Sequence, residues 1–241
     1  MARWDPWHGC HKYSEGCKFC YTHKGDAKRG TDTNQITKTD KFDAPVRKDK
    51  KGEYKMKPGQ LVYVCFSSDF LIEEADEWRK DCWQMIKERS DLTFLFLTKR
   101  IERFLDCIPA DWGDGYDNVV VSCTVENQDR ADYRLNIFRE LPIKHKNIVC
   151  QPMIERMDIS AYLDNIDLVV VGGESDKNAR PLDYDWVLDI REQCRAKKVC
   201  FDFRQCGTHF VKDGKSYTLQ VRDLCSQARK ADINLGRADF E

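Results

Sequence analysis

The chain has 241 residues, a net charge of −1, 41% hydrophobic residues and 34% charged residues, which is typical of one large or two small globular domains. Mean hydropathy is −0.67, and no apolar run approaches the roughly 18 residues that a membrane span needs. We therefore expect no membrane association. The first residues contain no apolar signal-peptide core, which predicts a cytoplasmic protein without a disulfide framework. The 12 cysteines then indicate metal or cluster ligation, catalysis or packing.

The first predicted element is a loop that carries three cysteines. Cys10, Cys17 and Cys20 have the spacing C-x6-C-x2-C, and a glycine precedes each of the first two. Three thiols so close together in a loop are poor core residues, so the spacing favours a metal site. A structural zinc needs a fourth ligand, whereas an iron–sulfur cluster can be held by three cysteines with one iron left open. Because the chain has a single C-x2-C pair, we favour the cluster. The candidate fourth zinc ligands are His8, His11 and His23.

A basic segment follows, from Lys38 to Lys57. The first 60 residues contain 14 Lys or Arg and 8 Asp or Glu, and most of this excess lies in the basic segment. Two interpretations remain open: a solvated loop or hairpin, and a surface that contacts the phosphates of a nucleic acid.

Residues 61–206 alternate short apolar, β-branched runs with stretches of helical periodicity, which predicts βα units and a parallel sheet. Runs such as 168–171 are apolar throughout, so we expect both faces of the sheet to be covered, in a barrel or a doubly wound sheet. The predicted strands are 61–66, 93–97, 118–123, 147–150, 167–171 and 198–203. The predicted helices are 73–89, 101–107, 129–141 and 184–196.

Polar residues follow every one of these strands. Because the carboxyl ends of parallel strands meet at one edge, this edge is where we expect the functional site. The segments at the strand ends are 67–69, 98–100, 124–128, 151–152, 172–175 and 204–205. Other interpretations remain for three of them. Lys99 and Arg100 are also suited to a surface pair at the start of a helix, and residues 126–128 to capping the following helix. Gly172 and Gly173 are also suited to a turn with positive φ.

The last part of the chain differs in pattern. A β-hairpin is predicted around residues 210–217, with Asp213 and Gly214 at its turn, and residues 226–241 are polar and form a closing helix or loop. We expect a single α/β domain with three parts: the cysteine loop and basic segment (1–60), the βα repeats (61–206), and the hairpin and tail (207–241).

Several motifs, in order along nearly the whole chain, resemble the phage-associated three-cysteine-motif protein family, which has no settled activity. That family is similar to radical S-adenosylmethionine enzymes, and among them to spore photoproduct lyase. The resemblance implies a TIM-like partial (β/α) barrel, a 4Fe-4S cluster and S-adenosyl-L-methionine as cofactors, although the first cysteine gap here is wider than the usual C-x3-C-x2-C. The matching motifs are 4–21, 65–70, 97–100, 124–128, 171–175, 179–181 and 203–205.

The resemblance implies roles for the three cysteines, whereas most of the other candidate residues come from the predicted strand ends. Cys10, Cys17 and Cys20 would ligate three irons, and the fourth iron would chelate S-adenosylmethionine, whose reductive cleavage yields a 5′-deoxyadenosyl radical. The candidate catalytic residues are Asp69, Lys99, Arg100, Glu126 and Arg204. The candidate cofactor-binding residues are Asn127, Gly172, Gly173, Glu174, Ser175, Arg180 and Gln205.

The leading hypothesis is a radical enzyme that acts on a nucleobase, nucleotide or nucleic acid and needs an electron donor. Two alternatives are a nucleic-acid-binding module with a structural zinc at the three cysteines, and an iron–sulfur redox protein that does not use S-adenosylmethionine. No oligomeric state is predicted. The nine other cysteines are interpreted mostly as small hydrophobic packing residues. They are Cys65, Cys82, Cys107, Cys123, Cys150, Cys194, Cys200, Cys206 and Cys225.

Overall fold

The structure is a computed structural model that describes residues 2–240. These residues form two compact units. The first unit contains the chain up to Lys12, Thr22–Ser122 and Leu141–His145. The second contains Tyr13–Tyr21, Cys123–Glu140 and the chain from Lys146 onward.

In the first unit, the hydrogen-bonded strands follow the order β1 (Ala2–Trp4), β4 (Leu61–Val64), β5 (Thr93–Thr98) and β6 (Val119–Thr124). The strand β1 pairs with β4 and β4 with β5, both in parallel, and the two-residue strands β2 and β3 pair with each other in antiparallel fashion. The strands are β1 (Ala2–Trp4), β2 (Trp7–His8), β3 (Thr37–Lys38), β4 (Leu61–Val64), β5 (Thr93–Thr98) and β6 (Val119–Thr124). The helices are α1 (Tyr21–Arg29), α2 (Asp76–Glu88) and α3 (Phe104–Cys107).

The core of the first unit is rich in aromatic rings. Phe70 packs edge-on against Trp83 with ring centroids 5.1 Å apart, and Trp83 packs against Trp112 at 5.2 Å. The helix α2 turns Cys82, Met85 and Ile86 into this core, as its helical spacing predicts. Phe70 also packs against Phe96 of β5 with ring centroids 4.8 Å apart, so the cluster joins the segment after β4 to β5.

In the second unit, β8 pairs in parallel with both β7 and β10. A three-stranded sheet lies beside them, in which β11 pairs in parallel with β9 and in antiparallel fashion with β12. The elements in chain order are α4 (Gln128–Glu140), β7 (His145–Cys150), β8 (Leu168–Gly172), β9 (Leu182–Asp183), α5 (Tyr184–Lys197), β10 (Cys200–Gln205), β11 (His209–Lys212), β12 (Lys215–Thr218) and α6 (Leu224–Lys230).

The mixed α/β class with mostly parallel strands is confirmed. Each of the six predicted strands is present, with ends within two residues of the prediction. The hairpin is also confirmed, and its turn residues Asp213 and Gly214 have φ of 52° and 68°, as a two-residue turn of this hand requires. The tail contains α6 and a short 3-10 turn at Arg237–Asp239.

Two helix predictions need correction in detail, and one helix was not predicted. The predicted helix 73–89 begins with a separate 3-10 turn at Glu73–Ala75, and half of the predicted helix 101–107 is a 3-10 turn at Ile101–Arg103. The helix α1 was not predicted at all, because its only buried residues are Thr22 and Asp26 and it therefore has no apolar stripe. The basic segment is mostly irregular and contains a 3-10 turn at Ala44–Val46 and the isolated bridge Lys48–Tyr54. Its contact with phosphates stays a prediction.

Within residues 2–240, none of the 12 cysteines forms a disulfide bond. Seven of the nine outside the loop are buried, whereas Cys200 and Cys225 are half-buried, so the packing prediction is confirmed for most of them. Burial raises the pKa of the Cys107 and Cys206 thiols to about 11, so these side chains remain protonated at neutral pH. No helix within residues 2–240 is long and apolar enough to cross a bilayer.

Candidate metal centre

In the first unit, Gly9 determines the path of the chain into Cys10. Gly9 has φ of +103°, and a Cβ atom there would lie 2.7 Å from the carbonyl oxygen of Gln35 and 2.8 Å from that of Thr33. The Cys10 amide donates to the same Thr33 carbonyl at 2.8 Å. Only glycine fits this conformation and this close approach, so the sequence Gly9-Cys10 places the first thiol.

Arg100 lies next to the Cys10 sulfur. Its Nη1 is 3.9 Å from the Cys10 Sγ and 3.2 Å from the Asp69 Oδ2, and its Nη2 donates to the His11 carbonyl at 3.2 Å. The residue is only 3% exposed. Burial lowers the pKa of Arg100, but Asp69 and Cys10 raise it by more, so the net direction is upward. A permanent positive charge beside the sulfur stabilises a thiolate, the form that ligates metals.

Asp69 organises the ends of β4 and β5. Its Oδ1 accepts from the Thr98 hydroxyl at 2.8 Å and from the Leu71 amide at 3.0 Å, while its Oδ2 accepts from the Lys99 amide at 3.0 Å and from Arg100. The structure thus brings Asp69, Lys99 and Arg100 together, as their positions after neighbouring strands predicted. Four donors of the chain itself saturate the Asp69 carboxylate, which is the arrangement of a positioning residue. Its catalytic role stays a prediction.

Two of the candidate zinc-ligating histidines are bound to carboxylates. The His8 Nε2 lies 2.9 Å from the buried Asp26 carboxylate, and the His11 Nε2 contacts Glu74. The hydrogen bond that His11 donates to Glu74 is the largest influence on the pKa of His11 and raises it. Either imidazole would have to leave its carboxylate partner or bind through its other nitrogen in order to ligate zinc.

In the second unit, Cys17 ends a 3-10 turn at Glu15–Cys17. Its sulfur accepts the Tyr13 amide at 3.5 Å, and its carbonyl accepts the Cys20 amide at 3.3 Å. Both thiols are half-buried. Gly16, directly before Cys17, is buried and donates its amide to the Glu126 Oε1 at 3.3 Å, so a predicted catalytic carboxylate holds the backbone next to Cys17.

Glu126 itself is held by a buried arginine of α4. The Arg134 Nη1 donates to the Glu126 Oε2 at 2.8 Å and to the Thr124 carbonyl at 2.7 Å, and both charged side chains are fully buried. The guanidinium of Arg134 also lies 5.5 Å from the centre of the Tyr13 ring. In residues 2–240, no acceptor lies within hydrogen-bond distance of its Nε and Nη2 atoms.

Two further arginines hold the loop from Tyr13 to Tyr21. The Arg130 Nε donates to the Glu15 carboxylate at 3.2 Å, and the Arg180 Nη2 donates to the Glu15 carbonyl at 2.9 Å. The guanidinium of Arg180 also lies 5.8 Å from the Phe19 ring centre. Three arginines therefore hold the loop that carries Cys17 and Cys20, and each of them is paired with a carboxylate.

The carboxylate of Glu174 is occupied by Arg180. The Glu174 Oε2 accepts the Arg180 amide at 2.8 Å and its Nε at 3.1 Å, and the Oε1 accepts its Nη2. Glu174 could bind a cofactor ammonium only if its hydrogen bonds with Arg180 were broken. Arg180 is thus close to the Gly-Gly-Glu segment, as expected, but it contacts the protein itself.

The glycines at the end of β8 allow other parts of the chain to pack closely against its backbone. A Cβ on Gly173 would lie 2.8 Å from both the Cys206 carbonyl oxygen and the Gly207 Cα, and a Cβ on Gly172 would lie 3.0 Å from the Gln151 side chain. Neither glycine has a positive φ, so the positive-φ reading is wrong, and the close neighbour is the chain after β10. The Gln205 amide side chain donates to the Gly173 carbonyl at 2.6 Å, so Gln205 lies at this segment, as expected.

The three remaining candidate residues cap a helix or are exposed. The Asn127 Oδ1 accepts the Arg130 amide at 3.0 Å, so Asn127 caps α4. Arg204 lies at an irregularity of β10 and is exposed, with its Nε 3.0 Å from the Asp202 carboxylate. Ser175 is exposed.

The donor set fits an iron–sulfur cluster in its chemistry. Cys10, Cys17 and Cys20 are half-buried and form no disulfide bond, and two of the sulfurs accept N–H groups, the kind of contact that tunes such clusters. Across the described residues, no group of three or more His, Cys, Asp or Glu side chains stands where it could hold a single metal ion. Ligands of a cluster bind different irons and do not converge on one ion as zinc ligands do.

Comparison with known proteins adds a family. A family described as "Protein of unknown function (DUF5131)" matches residues 1–235. The chain belongs to the DUF5131 family. No curated protein and no solved structure matches it.

Sequence reasoning missed several residues that shape this DUF5131 site. Glu15 and Arg130 lie in polar stretches of the sequence, and nothing in the pattern of those stretches predicts that the two residues form an ion pair. Arg134 did carry a signal, because it falls at helical spacing with Ala131, Leu135 and Phe138, all of which are buried. An arginine on the buried face of a helix must have a partner inside the protein.

Proposed function

We propose that this protein is an iron–sulfur enzyme of the radical S-adenosylmethionine type, in which Cys10, Cys17 and Cys20 ligate a 4Fe-4S cluster. The observation that carries the proposal is the C-x6-C-x2-C spacing of three half-buried cysteines that form no disulfide bond. If these cysteines held such a cluster, it would supply the electron for reductive cleavage of S-adenosylmethionine to methionine and a 5′-deoxyadenosyl radical, the species that would abstract hydrogen from a substrate.

The residues of the chain prepare the thiols for this role. The Arg100 guanidinium, 3.9 Å from the Cys10 sulfur, favours the thiolate at that position. Glu126 holds the Gly16 amide and Arg180 holds the Glu15 carbonyl, so that the turn containing Cys17 keeps its shape. Such support of ligand residues by their neighbours commonly governs how tightly a metal centre is retained.

The substrate class that we propose is a nucleobase, a nucleotide or a nucleic acid. The basic segment Lys38–Lys57 supports a phosphate-bearing partner, and the parallel βα strands are compatible with a TIM-like partial barrel in which the strand ends surround a substrate. A cytoplasmic location and an external electron donor complete the proposal.

Anaerobic reconstitution tests the cluster. We expect iron and sulfide in a ratio near that of a 4Fe-4S cluster and broad visible absorbance, both lost in Cys17→Ala. The matched control is Cys225→Ala, because Cys225 is also half-buried and lies outside the motif. Stoichiometric zinc without iron, or equal iron loss in the two variants, would overturn the proposal.

A second function is favoured by one observation, the occupation of both Glu174 oxygens by Arg180. It is an iron–sulfur redox protein that does not use S-adenosylmethionine. The two functions differ when reduced protein is incubated with S-adenosylmethionine. Release of 5′-deoxyadenosine and a change in the electron paramagnetic resonance signal support the radical enzyme, whereas a cluster that shows neither supports the redox protein.

A further inference from the structure

The second unit contains a pocket of about 260 Å³ between the hairpin β11–β12, the start of α5, the strand β10 and the helix α6. All of its lining residues belong to this unit, and none is a cysteine of the C-x6-C-x2-C motif. Its volume is slightly below the roughly 300–1,000 Å³ of pockets that enclose drug-sized ligands. It therefore suits a single planar ring system better than a whole extended cofactor.

The pocket is lined by aromatic rings. Phe203 and Phe210 are buried, with ring centroids 6.3 Å apart and planes inclined by 27°, and the Tyr184 ring lies 5.8 Å from Phe210. Tyr217 pairs with Phe210 across the hairpin, and directly opposed residues point to the same face of an antiparallel pair. Tyr217 nevertheless remains 45% exposed, which leaves a ring available for stacking at the pocket.

Positive charge surrounds these rings. Lys212 and Lys230 line the pocket, and the Lys212 Nζ lies 4.9 Å from the centre of the Tyr184 ring. Lys212 and Lys215 are a directly opposed pair across the hairpin, an arrangement in which like charges repel. In the part of the chain that the structure describes, no carboxylate lies within ion-pair distance of these three lysines. A bound anion would relieve this repulsion.

We propose that the pocket binds one nucleotide unit, with an unpaired base stacked on the aromatic wall and its phosphate held by Lys212 and Lys230. Stacking on tyrosine tolerates any base, and lysine contacts phosphate as a point charge. The inference rests on the proposed function in taking the ligand from its substrate class. Binding, however, needs neither cluster nor reductant. Failure of this inference can therefore be distinguished from failure of the proposed function.

A nucleotide unit comes either from a single-stranded nucleic acid or from a free mononucleotide. Binding of the full chain to fluorescently labelled oligothymidylate and to thymidine 5′-monophosphate distinguishes these sources. We expect Tyr217→Ala to weaken binding about tenfold, as the removal of one stacked base does. We expect Lys212→Gln to reduce the slope of log K against log salt for the oligonucleotide by about 0.7, the value for one phosphate contact on a single strand.

The matched controls are Tyr133→Ala and Lys80→Gln. Tyr133 is 47% exposed on α4, and Lys80 is an exposed lysine on α2 paired with Glu77. If only the mononucleotide binds and shows the same sensitivity to Tyr217→Ala, the pocket takes free nucleotides, and the proposal stands for that source. If neither probe binds, or if Tyr133→Ala weakens binding as much as Tyr217→Ala, the proposal is overturned.

Discussion

Glu126 and Arg134 form an ion pair with an Oε2–Nη1 distance of 2.8 Å in which both side chains are fully buried. The same carboxylate accepts the amide of Gly16, one residue before Cys17. The pair thus couples the interior packing of α4 to the loop that carries two of the three motif cysteines. Removing one partner of a buried ion pair strongly destabilises the folded state, because the remaining charge has neither a counterion nor water around it.

We expect Glu126→Gln to lower the free energy of unfolding by about 3–5 kcal/mol, since the Arg134 charge would remain buried without its counterion. Urea denaturation measures this loss. The control is Arg130→Gln, which removes a half-exposed pair with Glu15 and should cost about 1 kcal/mol or less. The double variant Glu126→Gln/Arg134→Met should recover part of the loss. Equal losses of stability in Glu126→Gln and Arg130→Gln would contradict a stabilising role for the buried pair.

Arg180→Lys should weaken retention of the proposed cluster without unfolding the protein. Lysine cannot contact Glu174, Glu15 and the Phe19 ring at once, because it lacks the planar fork of arginine. Loss of such supporting contacts typically costs 10- to 100-fold in metal affinity. Iron retained during competition with a chelator provides the measurement. Arg156→Lys, at an exposed pair with Asp189, should behave as the wild type, and a matching loss there would refute the role of Arg180.

Asp26 should contribute stability that depends on pH. Burial raises its pKa, but hydrogen bonds from Thr33, His8 and Arg29 lower it by more, so the pKa in the folded state lies below its ordinary value. The contribution is therefore present above the unfolded-state pKa of about 3.9 and is lost as pH falls through the folded-state pKa.

The variant Asp26→Asn should lose about 2 kcal/mol of stability at neutral pH, and the difference from the wild type should shrink in acid. Thermal or urea unfolding across this pH range measures it. Asp164→Asn serves as the control, because Asp164 is 76% exposed in its pair with Lys197. A difference between Asp26→Asn and the wild type that is independent of pH would show that the charge of Asp26 does not matter.

Gly173→Ala should destabilise the second unit by about 1–3 kcal/mol, as overpacking does. The new methyl group would meet the backbone at Cys206 and Gly207 at 2.8 Å, and backbone cannot rotate away as a side chain can. Gly236→Ala is the control, since its nearest contact would be the Asp239 carboxylate at 3.7 Å. Comparable stabilities of the two variants in a denaturant titration would argue against close packing at Gly173.

The sequence by itself determined the α/β class, the parallel strands and the hairpin. Runs such as Leu168–Gly172 are apolar throughout, and an apolar run bounded by polar residues specifies a buried strand locally. The hairpin turn was equally local, because Asp213 and Gly214 accept positive φ. The three-residue strand Ala2–Trp4 was beyond this reasoning, since its extended form depends on pairing with Leu61–Val64, about sixty residues away.

The tertiary structure alone decided which polar groups satisfy one another. Strand order was enough to place Asp69 beside Arg100, since neighbouring parallel strands end at one edge. It was not enough for Glu15 and Arg180, which are separated by 165 residues, or for the packing of Gly173 against Gly207. Local propensity acts over a few residues, whereas the partner of a buried charge depends on which distant segment fills the space around it.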